Sequence, residues 1–199
     1  MKKIVLAVSL FLVIGLVFSS SRHSIHASSF GCSSLQGLAN VYLTNGSFSN
    51  DSNLDGVPDG WTKVNPGSYD KRVTLSDGSK VYQMSQATSS TSPRGLKQSA
   101  MISRLTGNKL IFSLRIKSET NNYAGSLRVK VQYYKNSSLV QTVYVYFAPA
   151  TTSWGWRTCS FATPNDFSTV TLTLESGVTS NASGTSVANV WWDEVRLYK

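Results

Sequence analysis

The sequence predicts an all-β protein: a two-sheet antiparallel β-sandwich (jelly roll), preceded by a signal peptide. No window beyond residue 28 repeats apolar residues at the three-and-four spacing of an amphipathic helix. Several windows instead alternate apolar and polar residues with period two, as strands with one buried face do. Clusters of Gly, Asn, Ser and Pro punctuate them, so about eight short strands follow one another at the spacing of a sandwich.

Met1-Lys2-Lys3 followed by the apolar run Ile4 to Phe18 reads as a signal peptide spanning residues 1–27, with cleavage expected after Ala27. The run holds about 15 residues, short of the roughly 20 that a membrane-crossing helix needs, so a secreted, extracellular bacterial product without a membrane span is expected. Residues 28–39 form an N-terminal extension and 40–199 the domain, enough chain for one core. Weaker strands are expected at Asn40 to Leu43, Lys80 to Ser85 and Gly95 to Ile102. Leu110 to Lys117 alternates cleanly, as do Leu127 to Tyr134 with apolar Leu127, Val129, Val131 and Tyr133. The turn Lys135-Asn136-Ser137-Ser138 leads to Val140 through Phe147. Val170 to Leu174, with Thr171 and Thr173 facing out, and Val190 to Tyr198 complete the set. Ala87 to Pro93 is low in complexity and short enough for a loop.

Composition narrows the chemistry. Cleavage after Ala27 removes Lys2, Lys3 and Arg22, three of the 19 basic residues, and none of the 10 acidic ones, so the formal charge of +9 becomes +6. His23 and His26 leave too, which excludes Ser-His-Asp and Cys-His nucleophiles and histidine-ligated metals. Two cysteines remain, Cys32 and Cys159, and in an oxidising space a disulfide would tie the N-terminal segment to a late strand. The other reading of Cys32, a lipid-anchored cysteine, is opposed by Phe30 where small residues are wanted.

Asn45-Gly46-Ser47-Phe48 followed by Asp55-Gly56-Val57-Pro58-Asp59-Gly60-Trp61 resembles the opening of jelly-roll carbohydrate-binding modules, the cellulose- and xylan-binding kind attached to bacterial glycoside hydrolases. Val190-Trp191-Trp192-Asp193-Glu194-Val195-Arg196-Leu197 is similar to their closing strand. Gly78 to Tyr82, and Trp156-Arg157 with Phe161, stand where that family has its second and a later strand. The resemblance covers residues 40 to 198. It implies that Asp193 helps hold a structural calcium with N-terminal residues, although Ser49 replaces the acid usual after Asn-x-x-Phe.

The residues also suggest calcium. Asp51, Asn53, Asp55 and Asp59 offer oxygen at positions 1, 3, 5 and 9 of a loop with Gly56 at position 6, a spacing that wraps a hard cation. Thr62 stands where a helix-loop-helix calcium hand has its bidentate glutamate, so that motif is absent. The competing reading is an Asx-rich turn whose side chains cap their own backbone.

A binding face follows from strand geometry. If Lys135 to Ser138 closes a hairpin, Gln132 faces Thr142, Lys130 faces Tyr144 and Arg128 faces Tyr146. Alternation then gathers Arg128, Lys130, Gln132, Tyr134, Tyr144 and Tyr146 on one side, with Val129, Val131, Val143, Val145 and Phe147 inside. Tyrosine rings stack on pyranose C–H groups, while amide and basic groups bond hydroxyls. An ordinary solvated sheet is the bland alternative. Trp154 is the expected exposed platform and Trp156 a core residue; counting back by twos from Val195 and Leu197 puts Trp191 in the core and Trp192 on the sugar-facing side.

These features favour a non-catalytic module that binds polysaccharide. Glycoside hydrolysis needs two carboxylates across one bond, and Glu175 with Glu194 is the only pair that parity allows on one face. A lyase acting on an acidic glycan would use tyrosine with Arg128, Lys130 and Gln132. A structural or adhesive surface protein is the third reading. Nucleic acid is not an expected partner, because the basic residues are scattered. Pairing Arg128 and Lys130 with the tyrosines leans toward an acidic glycan, whereas the resemblance favours neutral β-glucans.

Overall fold

A computed structural model describes residues 24–27, 32–33, 42–85, 93–102, 109–119, 127–147, 152–177 and 189–198. Alternation located β5 (Lys80–Ser85), β6 (Arg94–Met101), β7 (Lys109–Ser118), β8 (Leu127–Lys135), β9 (Ser138–Phe147), β11 (Thr169–Ser176) and β12 (Asn189–Tyr198) to within two residues at each end. It did not mark β3 (Thr62–Val64) or β4 (Lys71–Thr74), which are too short to alternate, and β10 (Gly155–Ala162) was suggested only by the resemblance. Tyr42 and Leu43, at the end of an expected strand, carry no strand. The Tyr42 N–H donates to the Leu197 carbonyl.

Two short N-terminal strands complete the set, β1 (Ser24–Ala27) and β2 (Cys32–Ser33). Residues 1–23 of the expected signal peptide lie outside the described residues, but Ser24–Ala27 run parallel to β9, with His26 opposite Tyr144. Cleavage after Ala27 removes this strand, and cleavage before Ser24 keeps it.

The antiparallel strands β9-β8-β11-β6-β3 form one sheet, here the β8 sheet, with β1 along its β9 edge. The antiparallel strands β10-β7-β12-β5-β4 form the other, the β7 sheet, with β2 beside β10. Successive strands pass repeatedly from one sheet to the other, which is the jelly-roll way of closing a sandwich. One continuous core lies between the sheets. Val129, Val131, Leu172 and Leu174 enter it from the β8 sheet and Phe112, Leu114, Tyr82 and Trp192 from the β7 sheet, all fully buried. Each such side chain contributes about 1.5–3 kcal/mol on leaving water.

The chain preceding β3 plugs one end of the sandwich. Phe48 is buried edge-on against Trp61, with ring centroids 5.4 Å apart, and the Trp61 indole N–H donates to the carbonyls of Thr44 and Asn45. Gln98 on β6 is buried and donates from Nε2 to the carbonyls of Thr44 and Gly60, while its Oε1 accepts from the Thr44 N–H. The Val195 N–H donates to the Gly46 carbonyl at 2.8 Å. Any Cβ at Gly46 would stand 1.9 Å from the Val195 carbonyl oxygen, so only glycine permits this approach.

The last strand corrects one expectation. Trp192 is completely buried and Trp191 is partly exposed, the reverse of the expected assignment. Val195 and Leu197 are core residues as expected, but a bulge between Asp193 and Arg196 inserts a residue, with Glu194 at φ 50°. One extra residue inverts the alternation upstream of it. Trp192 is therefore unavailable to any ligand.

Candidate functional site

The hairpin register is as inferred: Gln132 pairs with Thr142, Lys130 with Tyr144 and Arg128 with Tyr146. Asn136 and Ser137 both take positive φ, the two-residue turn whose twist matches paired strands. Val129, Val131, Val143 and Val145 are buried, while Arg128, Lys130, Gln132, Tyr134, Tyr144 and Tyr146 are half-buried on the outer face. The side chain of Phe147 lies outside the described residues.

Beside β8, strand β11 contributes Thr171 opposite Gln132, Thr173 opposite Lys130 and Glu175 opposite Arg128. The threonines face outward as expected, yet Thr173 and Glu175 are each only 1% exposed, overtopped by longer neighbours. Gly95 stands opposite Glu175, and a Cβ there would come within 3.0 Å of both the Leu174 carbonyl oxygen and Thr173 Cγ2. Small residues thus form a floor between taller side chains.

Glu175 organises the cations. Its carboxylate pairs with Arg128 Nε at 2.5 Å and with Lys130 Nζ at 2.8 Å. Arg128 also donates from Nη1 to the Tyr146 hydroxyl at 3.1 Å, and its guanidinium lies 4.3 Å from the Tyr144 ring centroid. Burial opposes the Arg128 charge, but the hydrogen bond and charge of Glu175, with Tyr146, outweigh it and raise its pKa. The tyrosine rings stand 6.5 Å apart at 35°. Sequence reasoning weighed Glu175 only as half of a catalytic pair and missed this role, which depends on the β11–β8 register. Glu175 and Glu194 in fact belong to different sheets, so the pair does not form.

The tryptophans gather elsewhere. Trp154 lies under the Arg115 guanidinium at 4.8 Å, beside the β7 sheet and away from the tyrosines. Trp156, expected in the core, pairs with Arg115 on the outer side of that sheet, and Arg196 lies 5.3 Å above its ring. Inward alternation on β10 begins with Cys159 and Phe161.

In the Asp51 to Asp59 loop, Asp51 Oδ2 accepts from the Gly56 N–H, Asp55 Oδ1 from Val57, and Asp59 Oδ1 from the Ser52 N–H and hydroxyl. Asn53 Nδ2 donates to Asp55 Oδ2 at 3.0 Å. The side chains do cap their own backbone. Asp51 Oδ1, however, is buried and takes no hydrogen bond, an orphaned oxygen that suits a hard cation. Among the described residues no three His, Cys, Asp or Glu side chains converge as a metal centre. Asp193 does not join the loop's hydrogen bonds. Its Oδ1 accepts from the Glu194 N–H at 2.7 Å, its Oδ2 lies 3.6 Å from Arg115, and burial raises its pKa to about 6. Cys159 is disulfide-bonded, and Cys32 stands opposite it in the ladder.

Fold and faces together define a jelly-roll β-sandwich with side-chain clusters on both outer surfaces. No family profile and no curated protein matches the chain. Among solved structures, it is similar to the CBM22-1 xylan-binding domain of Paenibacillus barcinonensis Xyn10C, at 18% identity and a TM-score of 0.51, over 81% of this chain and 96% of that one. The arabinose-bound α-L-arabinofuranosidase MgGH51 is 16% identical with a TM-score of 0.57, over 81% of this chain and 27% of that one. The enzymatically active domain of bacteriophage CBA120 tailspike protein 4 is 12% identical with a TM-score of 0.53. The match covers 78% of this chain and 21% of the tailspike domain. At these identities the shared property is the fold.

Proposed function

We propose that the protein is a secreted, non-catalytic module that binds polysaccharide on the outer face of the β8 sheet. The observation that carries this reading is the single patch in which Tyr144 and Tyr146 stand beside Arg128, Lys130 and Gln132 above a floor of Thr171 and Thr173. Sugar rings stack on the tyrosines, and amide, hydroxyl and basic groups meet the sugar hydroxyls. The similarity to a xylan-binding domain supports the same use of the fold.

The ion pairs support a neutral ligand for this face. Glu175 engages both Arg128 and Lys130, so the two cations act here as oriented hydrogen-bond donors with much of their charge compensated. This face therefore suits a neutral β-glucan or xylan. Tyr144→Ala and Gln132→Ala are expected to abolish retention on insoluble xylan or cellulose while leaving the thermal midpoint within about 2 °C. Arg128→Ala is a poor probe, because it strips a partner from a buried carboxylate. Retention that survives both substitutions would remove this face from the account. Absorbance from unsaturated uronates, followed in the same tubes with polygalacturonate, tests the lyase alternative. The Arg128 hydrogen bond to the Tyr146 hydroxyl is the observation that favours it.

We also propose calcium in the Asp51 to Asp59 loop, held by Asp51, Asn53, Asp55 and Asp59. The ligand spacing and the orphaned Asp51 oxygen support it.

A further inference from the structure

We infer that the outer face of the β7 sheet is a second polysaccharide-binding surface, suited to an anionic chain bearing carboxylate groups. It lies on the opposite side of the sandwich from the tyrosine face and does not depend on that reading. One row of the sheet runs Lys117, Trp191, Gln83 and Lys71 across four neighbouring strands. The row beside it holds Trp156, Arg115 and Asp193. Strands lie about 4.8 Å apart and residues about 3.3 Å apart along them, so Trp156 on β10 and Trp191 on β12, two strands and two residues apart, stand about 12 Å apart at the backbone.

The indoles are held in place. Gln83 Oε1 accepts from the Trp191 indole N–H at 3.0 Å, and Lys117 Nζ lies 5.6 Å from the ring centroid. Arg115 covers one face of Trp154, while Trp154, Trp156 and Trp191 all keep part of their surface in solvent. Partly exposed, pre-oriented aromatic rings are platforms for sugar C–H groups and lose little side-chain freedom on binding.

Charge selects the ligand. Arg115 pairs with Asp193 and Arg196 with Glu194, whereas among the described residues Lys117 and Lys71 make no ion pair, although Asp77 lies within electrostatic reach of Lys117. The ammonium of Lys117 beside the Trp191 ring and that of Lys71, on the far side of Gln83 in the same row, offer charge-assisted bonds to carboxylates that a neutral glycan would leave unused. The tyrosine face differs, because there Glu175 pairs with both cations and offsets one of their two charges.

The test uses the secreted protein, polygalacturonate as the acidic probe and xylan as the neutral one, with affinity electrophoresis as readout. Lys117→Gln and Trp191→Ala are expected to weaken polygalacturonate binding about tenfold each, equal to about 1.4 kcal/mol. Binding should also fall as salt rises past physiological strength. Tyr144→Ala should leave it unchanged. Lys117 is a partly exposed surface residue, so its variant folds and gives a result even if Trp191→Ala does not. Wild-type protein that ignores polygalacturonate, or binding lost through Tyr144→Ala and unaffected by Lys117→Gln, would overturn the inference. Wild-type protein that binds polygalacturonate but not xylan would overturn the tyrosine-face reading and leave this one standing.

Discussion

Glu175 and Asp193 are both buried carboxylates next to arginine, but they have opposite consequences. Glu175 is close enough to two cations to be held by them, and Glu175→Gln would leave Arg128 and Lys130 facing a neutral group. Both cations are partly buried, so a loss of about 3 kcal/mol is expected, near the lower end for a broken buried pair. Denaturant melts measure it. For Asp193 burial dominates and its nearest cation is 3.6 Å away, so its pKa rises from 3.8 to about 6. Between these values the folded chain binds more protons than the unfolded one, and stability therefore falls as pH rises from about 4 to 6. The total is on the order of 3 kcal/mol. Asp193→Asn should flatten that part of the pH profile and raise stability at pH 7. An unchanged profile would show that Asp193 titrates normally.

At the scale of elements, the β8–β9 hairpin and the β12 bulge show what alternation can and cannot reveal. Four turn residues and two clean period-two runs were enough to place six side chains on one face, although the pairs are offset by one from a count outward from the turn, because the register shifts between Tyr133 and Tyr134. The floor beneath them was not legible, since Glu175 reaches Arg128 through a pairing between strands separated by intervening chain. Trp192 was misplaced for a related reason. A bulge is stabilised here by the Gly46 contact and the Asp193 side chain, neither of which leaves a period in the sequence. The turn itself can be improved. Ser137 holds φ 67°, a region that favours glycine, so Ser137→Gly should add about 0.5–1 kcal/mol without moving the register. A gain in midpoint with unchanged ligand retention is the expected outcome.

For the whole molecule, calcium binding only to the folded loop would raise stability by about 2.7 kcal/mol when the ion is at 100 times its dissociation constant. Melts with calcium and with chelator read this directly, and identical midpoints would discard the site. The sheet order carries a further consequence. β12 contains the last described residues, yet it lies in the middle of its sheet, hydrogen-bonded to β7 on one side and to β5 on the other. Trp191 meets a partner 108 residues earlier in the chain. The β7 sheet cannot close until its final strand has been made, and such distant pairings form slowly. A chain lacking residues 189–199 should therefore show no cooperative unfolding transition. If the protein is exported as proposed, the same arrangement keeps the nascent chain open and threadable through a narrow channel. Folding then waits for the far side, where the strand that locks the sandwich arrives last.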